Sequence, residues 1–384
     1  MVRYGRAFAP PILPPMTSIF DEVLSFIRNP EPERFEAIAL TVFRYQFERI
    51  APYREYCLSI GVAAETVRSI DRIPPVSTAA FKYAELGGGA AERIFVTSGT
   101  SVGPNERGRH FVPRLEIYRA SATAHIGRML FPDKRRMPIL AIHPTAERMP
   151  ESSLGQMISW CIEDFGTEGS ACVATRQGVE IARALEVLEA AERAGEPVCI
   201  LGTTAACAAI FEALRADGRR IELAAGSRLM DTGGAKGQAD PLDAVAVAEL
   251  AARWLGIEPE MVINEYGMTE MCSQFYDATR FNSAFDAPAG ERRKLGPPWV
   301  RAAALDPVTI APVEDGRVGL MSYFDLANVG SVSALLTEDL GTVEHGAIRI
   351  LGRVLSSEAR GCALGITQFA AQSDPVPRAA SEGR

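Results

Sequence analysis

The feature that most constrains the fold is a regular alternation of short apolar runs and helical segments between residues 138 and 263. Apolar runs of strand length occur at 138–142, 171–174, 197–201, 223–230 and 261–263. Segments with helical spacing of apolar residues separate most of them, at 152–165, 179–194, 205–216 and 241–255. This alternation predicts a largely parallel sheet with helices on both faces. The carboxyl ends of its strands would share one edge, where open α/β sheets bind ligands.

The regions on either side of this alternation have different sequence patterns. Residues 1–90 predict a mostly helical lead-in, since apolar residues recur at helical spacing over 33–50 and prolines 74 and 75 then end the pattern. Beyond residue 280 come a charged loop at 291–294 and short β-type runs at 318–324, 333–337 and 347–351. The predicted organisation is a lead-in (1–90), an α/β core (91–280), a small β subdomain (281–353) and a short C-terminal tail (354–384).

Composition excludes several classes of function. A net charge of −8 argues against a nucleic-acid partner, and no apolar run approaches the ~18–20 residues of a membrane span. The seven cysteines include no CxxC pair and the four histidines are isolated, which argues against a disulfide framework or a zinc site. No signal peptide is predicted, so a cytoplasmic location is expected. Homo-oligomerisation stays open.

A loop rich in hydroxyl groups follows a short predicted strand at 93–96. It reads Thr97-Ser98-Gly99-Thr100-Ser101, and its small side chains let backbone N–H groups approach an anion closely. The alternative, a polar hairpin tip, is equally compatible with the segment, which lacks the spacing of a Walker-type nucleotide loop. Arg107, Arg109 and His110 follow, and they either supply charge to phosphates or form a solvated face.

A second candidate segment is Asn264-Glu265-Tyr266-Gly267-Met268-Thr269-Glu270, directly after the apolar run 261–263. Gly267 predicts a sharp turn, and a hydroxyl and a carboxylate follow within three residues. This is the layout of a ligand site at the carboxyl end of a buried strand. An ordinary strand-to-loop exit is the alternative.

Together, four motifs in this order resemble those of the adenylate-forming superfamily, which activates carboxylic acids with ATP. Residues 97–101 resemble its phosphate loop, and Tyr266 to Glu270 resemble its adenine and Mg²⁺ motif. Asp339, in Thr337-Glu338-Asp339, stands where the superfamily has its ribose-binding aspartate, and Gly352-Arg353 resembles the pair at the exit of the large domain. The resemblance implies the large α/β N-terminal domain of these enzymes, with parallel-sheet subdomains and a small β subdomain. Their C-terminal domain, with its lysine, is expected to be missing or vestigial.

A narrower resemblance extends over nearly the whole chain. It rests on five segments, namely Phe81-Lys82, 144–157, 231–236, 265–277 and 360–362. These are similar to the LuxE-type acyl-protein synthetases of the bacterial luciferase fatty-acid reductase complex. Those enzymes adenylate a fatty acid and pass the acyl group to a cysteine thiol.

The resemblance implies ATP and Mg²⁺ as cofactors and assigns roles to individual residues. Nucleotide binding is expected from Thr97, Ser98, Gly99, Thr100, Ser101, Asp231, Gly233, Gly234, Tyr266, Gly267, Met268, Thr269, Asp339 and Arg353. Glu270 and Thr100 would ligate Mg²⁺, which prefers oxygen ligands. Because Pro104-Asn105 replace the usual lysine of the phosphate loop, Arg107, Arg109 or Lys236 is expected to compensate.

The acid and its acceptor are less closely specified. The expected pocket residues are mostly small or apolar and suit an apolar acyl group: His143, Thr203, Thr204 and Met230. Cys362 stands where the branch has its acyl-accepting cysteine, and Arg360 would favour its thiolate; a lone cysteine is, however, most often inert. Two alternatives stay open: a ligase that passes the acyl group to CoA or a carrier protein, and an inactive scaffold subunit of an acyl-reductase complex.

Overall fold

A computed structural model of the chain describes residues 18–97, 107–133, 135–233, 242–280 and 292–353. In these ranges the α-helices, named α1 to α8 in chain order, are Ile19–Arg28, Phe35–Arg49, Ala51–Ser59, Leu115–Leu130, Ser153–Phe165, Ile181–Ala194, Thr204–Ala216 and Ala244–Leu255. The strands β1 to β8 are Val76–Ser77, Arg93–Val96, Arg109–Val112, Ile139–Ala141, Ala171–Cys172, Ala174–Thr175, Gly178–Val179 and Cys199–Thr203. The strands β9 to β16 are Arg228–Thr232, Val262–Tyr266, Phe275–Asp277, Lys294–Leu295, Val300–Leu305, Gly319–Asp325, Ala334–Glu344 and Ala347–Arg353.

Twelve strands of the described ranges form one mixed sheet. Its order is β13-β14-β15-β16-β12-β11-β10-β9-β8-β4-β5, with β1 beside β15. The neighbours among β10, β9, β8, β4 and β5 are parallel, and those from β10 through β11 to β13 are antiparallel. The predicted α/β fold with a parallel sheet is therefore confirmed. The division at residue 280 stays a prediction, and β11 and β12 join the two halves of the sheet across it.

The central residues of the parallel strands are mostly apolar because both faces of these strands are buried. Alternate residues such as Leu140, Ile200 and Leu229 pack with helices α6 to α8 in one core cluster. Their neighbours, such as Ile139 and Leu201, pack with α4, α5 and the helical lead-in in the larger cluster. No helix of the described ranges is long and apolar enough to cross a membrane.

Two local predictions were wrong for identifiable reasons. The strand predicted at 223–230 begins only at Arg228, because the chain turns at Ala224–Ser227 and Gly226 adopts a φ of +88°. The predicted charged loop at 291–294 ends in a buried strand residue, since Lys294 begins β12 and is 9% exposed. Its ammonium group has three oxygen partners there, which offset the cost of its burial.

Candidate active site

The predicted strand-end residues lie along one edge of the sheet. His143 follows β4, Thr203 ends β8, Thr232 ends β9 and Tyr266 ends β10. These four strands are parallel neighbours, so their carboxyl ends point the same way. Thr203 also caps α7, because its hydroxyl accepts a hydrogen bond from the Ala206 amide at 3.2 Å.

Tyr266, Asp339 and Arg353 come together although they lie far apart in the chain. The Tyr266 hydroxyl donates to Asp339 Oδ2 at 2.7 Å, and Arg353 Nε donates to Asp339 Oδ1 at 2.9 Å. Asp339 and Arg353 are register partners on β15 and β16, which explains their approach. Burial raises the pKa of Tyr266 well above its usual value, so its hydroxyl remains a donor.

The Tyr266 ring stands in an aromatic cluster. Its centroid lies 6.3 Å from that of Phe275 and 5.9 Å from that of Tyr323. These contacts orient the ring as β10 ends, and the hydrogen bond to Asp339 orients its hydroxyl group. The structure thus brings together the residues that were predicted for the adenine wall, the ribose and the neighbouring arginine.

The turn after Tyr266 is built differently from the prediction. Gly267 has no positive φ, so the reason for glycine is space. A Cβ at this position would overlap with Glu265 Oε1 and approach Gln274 Cγ to 3.4 Å. The chain then closes a turn in which the Met271 amide donates to the Met268 carbonyl at 3.1 Å, and Thr269 and half-buried Glu270 lie within it.

The hairpin of β2 and β3 brings the ends of the predicted phosphate loop together. The Gly108 amide donates to Thr97 Oγ1 at 2.9 Å, and Arg107 Nε donates to the Thr97 carbonyl at 2.6 Å. Ser98, Gly99, Thr100 and Ser101 lie outside the described residues, as do Gly234, Lys236 and Cys362. Arg107 therefore closes the base of the loop.

His110 has a role that neither sequence-based interpretation anticipated. It is 1% exposed and hydrogen-bonds through Nδ1 to the Thr269 carbonyl at 2.7 Å. Burial lowers its pKa to about 4, so the imidazole is neutral near pH 7 and supplies no charge to a phosphate. The hydrogen bond connects the hairpin to the turn that contains Glu270.

A buried polar network supports the strand ends. Asp231 is fully buried, and its Oδ2 accepts hydrogen bonds from Thr204 Oγ1 at 2.6 Å and Asn264 Nδ2 at 3.0 Å. Lys294 Nζ donates to Asn264 Oδ1 and to Asp277 Oδ1, both at 2.7 Å. Asp231 was predicted to contact the nucleotide and Thr204 to line the acid pocket. In the structure their side chains hydrogen-bond to each other below the edge of the sheet.

Glu265 lies in the candidate segment 264–270, but no individual role was predicted for it. In the structure it belongs to β10. It pairs in register with Thr232 and accepts a hydrogen bond from the Thr232 hydroxyl. Burial raises its pKa to about 7, although this hydrogen bond and the charge of Lys294 oppose the shift. Hydrogen-bonding side chains at strand ends were visible in the sequence, but which of them would pair was not.

The remaining predicted pocket residues differ in exposure. Burial lowers the pKa of His143, whose Nδ1 bonds to the Pro144 carbonyl at 2.8 Å. Cys172 is partly exposed, and its thiol donates to the His143 carbonyl at 3.6 Å. Met230 has no exposed surface and lies in the larger core cluster, below the edge of the sheet.

Most cysteines of the described ranges are buried in surroundings that disfavour the reactive thiolate form. Burial raises the pKa of Cys57 to about 11 and of Cys199 to about 12, and it also raises the pKa of Cys161, Cys207 and Cys272. Within the described part of the chain, Cys172 is the one cysteine that is not buried. It is therefore the natural control for any experiment on Cys362.

Solved structures with a similar fold include 2-hydroxyisobutyryl-CoA ligase. Its structure in the postadenylation state with R3-HIB-AMP has a TM-score of 0.60 and 16% identity, covering 91% of this chain and 73% of that chain. The same ligase in an open conformation with 2-HIB-AMP and CoA has a TM-score of 0.60 and 17% identity, covering 90% of this chain and 81% of that chain. At these identities the likeness shows a shared fold and nothing further.

Two curated relatives share the name long-chain-fatty-acid–luciferin-component ligase. The one from Vibrio harveyi is 26% identical over 347 residues, covering 86% of this chain and 87% of the relative. The one from Aliivibrio fischeri is 24% identical over 365 residues, covering 89% of this chain and 92% of the relative. The family model described as "Acyl-protein synthetase, LuxE" matches residues 21–370, and the chain therefore belongs to this family of enzymes.

Proposed function

We propose that this protein activates a carboxylic acid with ATP, forming acyl-AMP and pyrophosphate, and passes the acyl group to a cysteine thiol. The observation that carries the proposal is the assembly of Tyr266, Asp339 and Arg353 beside the turn that contains Glu270. Family membership supports it, as do the relatives named as long-chain-fatty-acid ligases. A long-chain fatty acid is accordingly the substrate class we propose.

The nucleotide would bind with its ribose at Asp339. Among the described residues, each carboxylate oxygen of Asp339 accepts one hydrogen bond, and each has a further lone pair for a ribose hydroxyl. Arg353 compensates the charge of this carboxylate, which is 7% exposed. The Tyr266 ring, held by its aromatic neighbours, would form a wall of the adenine pocket.

The chemistry of Glu270 is compatible with a magnesium ion. Glu270 offers carboxylate oxygens, which this hard cation prefers, at the end of the turn beside the nucleotide site. When bound, the ion would supply positive charge that offsets the charge of the phosphates. Thr97 and Arg107 would hold the base of the phosphate loop in place.

The reaction needs positioning and charge stabilisation more than covalent participation by the protein. In the first step a carboxylate oxygen of the acid attacks the α-phosphorus, and the bond to pyrophosphate breaks. In the second step a thiolate attacks the acyl carbon, a thioester forms and AMP leaves with the bonding electron pair. Arg353 and the hydrogen-bonded turn supply a preorganised environment that requires little reorganisation during either step.

The acyl acceptor is proposed to be Cys362, on its family resemblance. The test is incubation of the wild type, Cys362→Ala and Cys172→Ala with Mg²⁺, ATP and radiolabelled long-chain fatty acid. We expect hydroxylamine-labile protein labelling in the wild type and in Cys172→Ala, and none in Cys362→Ala. Equal labelling of all three proteins would exclude Cys362 as the acceptor.

Two other outcomes distinguish the alternative functions. A soluble thioester formed by Cys362→Ala when CoA or a carrier protein is added would favour ligation to an external thiol. Absence of acid-dependent ATP–pyrophosphate exchange in the wild type would favour a scaffold role in an acyl-reductase complex, because such a role needs no adenylation.

A further inference from the structure

The turn that contains Glu270 is held by side chains from two other parts of the chain. His110, on β3, bonds through Nδ1 to the Thr269 carbonyl at 2.7 Å. Asn328, in the 3₁₀ turn Leu326–Asn328 after β14, donates through Nδ2 to the Glu270 carbonyl at 2.7 Å. Both side chains are 1% exposed.

These two contacts act on consecutive peptide groups. The Thr269 carbonyl belongs to the peptide plane before the Glu270 Cα, and the Glu270 carbonyl belongs to the plane after it. A peptide unit is planar, so holding both planes restricts the two backbone dihedrals of Glu270 and thereby the direction of its Cα–Cβ bond. The position of the carboxylate then depends on side-chain rotamers alone.

We call the His110–Thr269 and Asn328–Glu270 hydrogen bonds the two clamps of the turn. The chemistry of each clamp fixes the direction of its hydrogen bond. A carbonyl oxygen only accepts, so Nδ1 of His110 must carry the proton. Its Nε2 is buried and has no hydrogen-bond partner in the described part of the chain, so the imidazole is committed to Thr269. The Phe81 ring meets the imidazole edge-on at 5.8 Å and limits its rotation.

The second clamp, at Asn328, belongs to a larger network of buried polar side chains. Asn328 Oδ1 accepts from the Cys272 amide at 2.9 Å, and Asp325 Oδ2 accepts from the same amide at 3.1 Å. Asp325 Oδ1 accepts in turn from the Ser273 hydroxyl at 2.7 Å. The chain directly after Glu270 is thus held by buried groups from the β14 end of the sheet.

We propose that His110 and Asn328 are positioning residues that orient Glu270 toward Mg²⁺·ATP. Through these two residues, the β2–β3 hairpin and the antiparallel half of the sheet are connected to the turn that contains Glu270. This inference rests on the proposed function for the role of Glu270. The clamp itself is a property of the free protein and can be tested without turnover. Removal of partners of this kind from metal ligands lowers metal affinity or activity about 10- to 100-fold.

The experiment compares His110→Phe with a matched control at the other deeply buried histidine. His125 is 4% exposed and contacts the Leu295 carbonyl through Nε2 at 3.0 Å, so His125→Phe makes the same chemical change away from the turn. His110→Asn places an amide donor near the position of Nδ1 and should restore the clamp. Asn328→Asp removes the donor to the Glu270 carbonyl, and with it the donor to the Val332 carbonyl, while keeping an acceptor for the Cys272 amide.

The first measurement is amide hydrogen exchange of segment 266–272 in the free proteins. We expect exchange at least about tenfold faster in His110→Phe and Asn328→Asp, and close to wild type in His110→Asn and His125→Phe, because only the first two lose a restraint on the turn. The second is the Mg²⁺ concentration that gives half-maximal thermal stabilisation by ATP. It should rise about 10- to 100-fold in His110→Phe and less than about threefold in His125→Phe.

The inference is overturned if His110→Phe keeps wild-type protection and Mg²⁺ dependence, or if both phenylalanine variants lose them equally. If His110→Phe loses protection while the wild type shows no acid-dependent exchange of pyrophosphate, the clamp stands and the proposed function fails. If the wild type is active and His110→Phe is indistinguishable from it, the proposed function stands and the clamp fails.

Discussion

At the scale of single residues, the candidate site depends on carboxyl groups whose surroundings set their charge. Asp339 pairs with Arg353 and accepts a hydrogen bond from the Tyr266 hydroxyl, so its carboxyl group is held as an acceptor at the sheet edge. Glu265, one residue before Tyr266, has no ion-pair partner within contact distance among the described residues. Burial raises its pKa to about 7. The two groups are therefore expected to respond differently to substitution.

Asp339→Asn should weaken nucleotide binding without unfolding the protein. Asparagine keeps the shape but loses the charge-assisted hydrogen bonds, which are worth about 1.5–3 kcal/mol each. We expect the Kd for Mg²⁺·ATP, measured by calorimetry, to rise at least about tenfold. Asp306→Asn changes a partly exposed turn carboxylate that accepts from the Val308 and Thr309 amides, and its Kd should stay within twofold. Unchanged affinity in Asp339→Asn would contradict the ribose assignment.

Glu265→Gln should change how stability depends on pH. The unfolded glutamate ionises near its ordinary pKa of 4.5, whereas the folded one keeps its proton until about pH 7. Between these values the unfolded state has released the proton that the folded state retains, so this group progressively lowers the stability of the wild type as pH rises. Below pH 4.5 the effect is absent, and above pH 7 it is complete.

The difference in unfolding free energy between Glu265→Gln and the wild type should therefore shift by about 2–3 kcal/mol in favour of the variant from pH 4.5 to pH 8. Urea titrations at the two pH values measure it, and effects of other titrating groups cancel in the comparison. A pH-independent difference would show that Glu265 titrates near its ordinary pKa.

At the scale of elements, β9 is anchored at both of its ends. Its first residue, Arg228, is 1% exposed, donates to the Leu130 carbonyl at 2.7 Å and forms two hydrogen bonds to Asp133, at 3.1 and 2.8 Å. These hydrogen bonds hold the pKa of Asp133 down to about 2. At the other end, Asp231 and Thr232 bond to the neighbouring strand ends. The anchored strand keeps the site edge in register.

Arg228→Met should destabilise the fold more than removal of a surface ion pair. It leaves the Leu130 carbonyl without this donor and removes the partner of Asp133, whose own partial exposure limits the penalty. We expect a loss of about 3 kcal/mol in the unfolding free energy by chemical denaturation. Arg215→Met breaks an ion pair with Glu212 between exposed side chains and should cost under about 1 kcal/mol. Equal losses would contradict an anchoring role for Arg228.

At the scale of the whole molecule, one sheet connects the two halves of the candidate site. Tyr266 lies on the parallel half, while Asp339 and Arg353 lie on antiparallel strands, and β11, β12 and β16 connect them. Small movements between the halves would change the Tyr266–Asp339 contact directly. The site is therefore a property of the assembled sheet.

The same scale explains what the sequence could predict. Strand and helix positions followed from local periodicity, as for α2 and for β4, because each depends on neighbours a few residues away. The hydrogen bond between His110 and Thr269 joins residues 159 positions apart. The hydrogen bond between Lys294 and Asp277 depends on the pairing of two strands, and the charge of Lys294 instead suggested a loop. Asp339 and Arg353 could be proposed only because family resemblance supplied the long-range information that periodicity lacks.

The most direct test of the central claim is acid-dependent exchange of radiolabelled pyrophosphate into ATP across a panel of fatty acids of increasing chain length. The wild type should catalyse exchange that requires both Mg²⁺ and an acid, whereas Glu270→Gln should reduce the rate at least about tenfold and Asp306→Asn should leave it unchanged. Because exchange reports adenylation alone, Cys362→Ala should retain the wild-type rate. Exchange that is absent in the wild type with every acid, or that is unchanged in Glu270→Gln, would contradict the proposed function of this site.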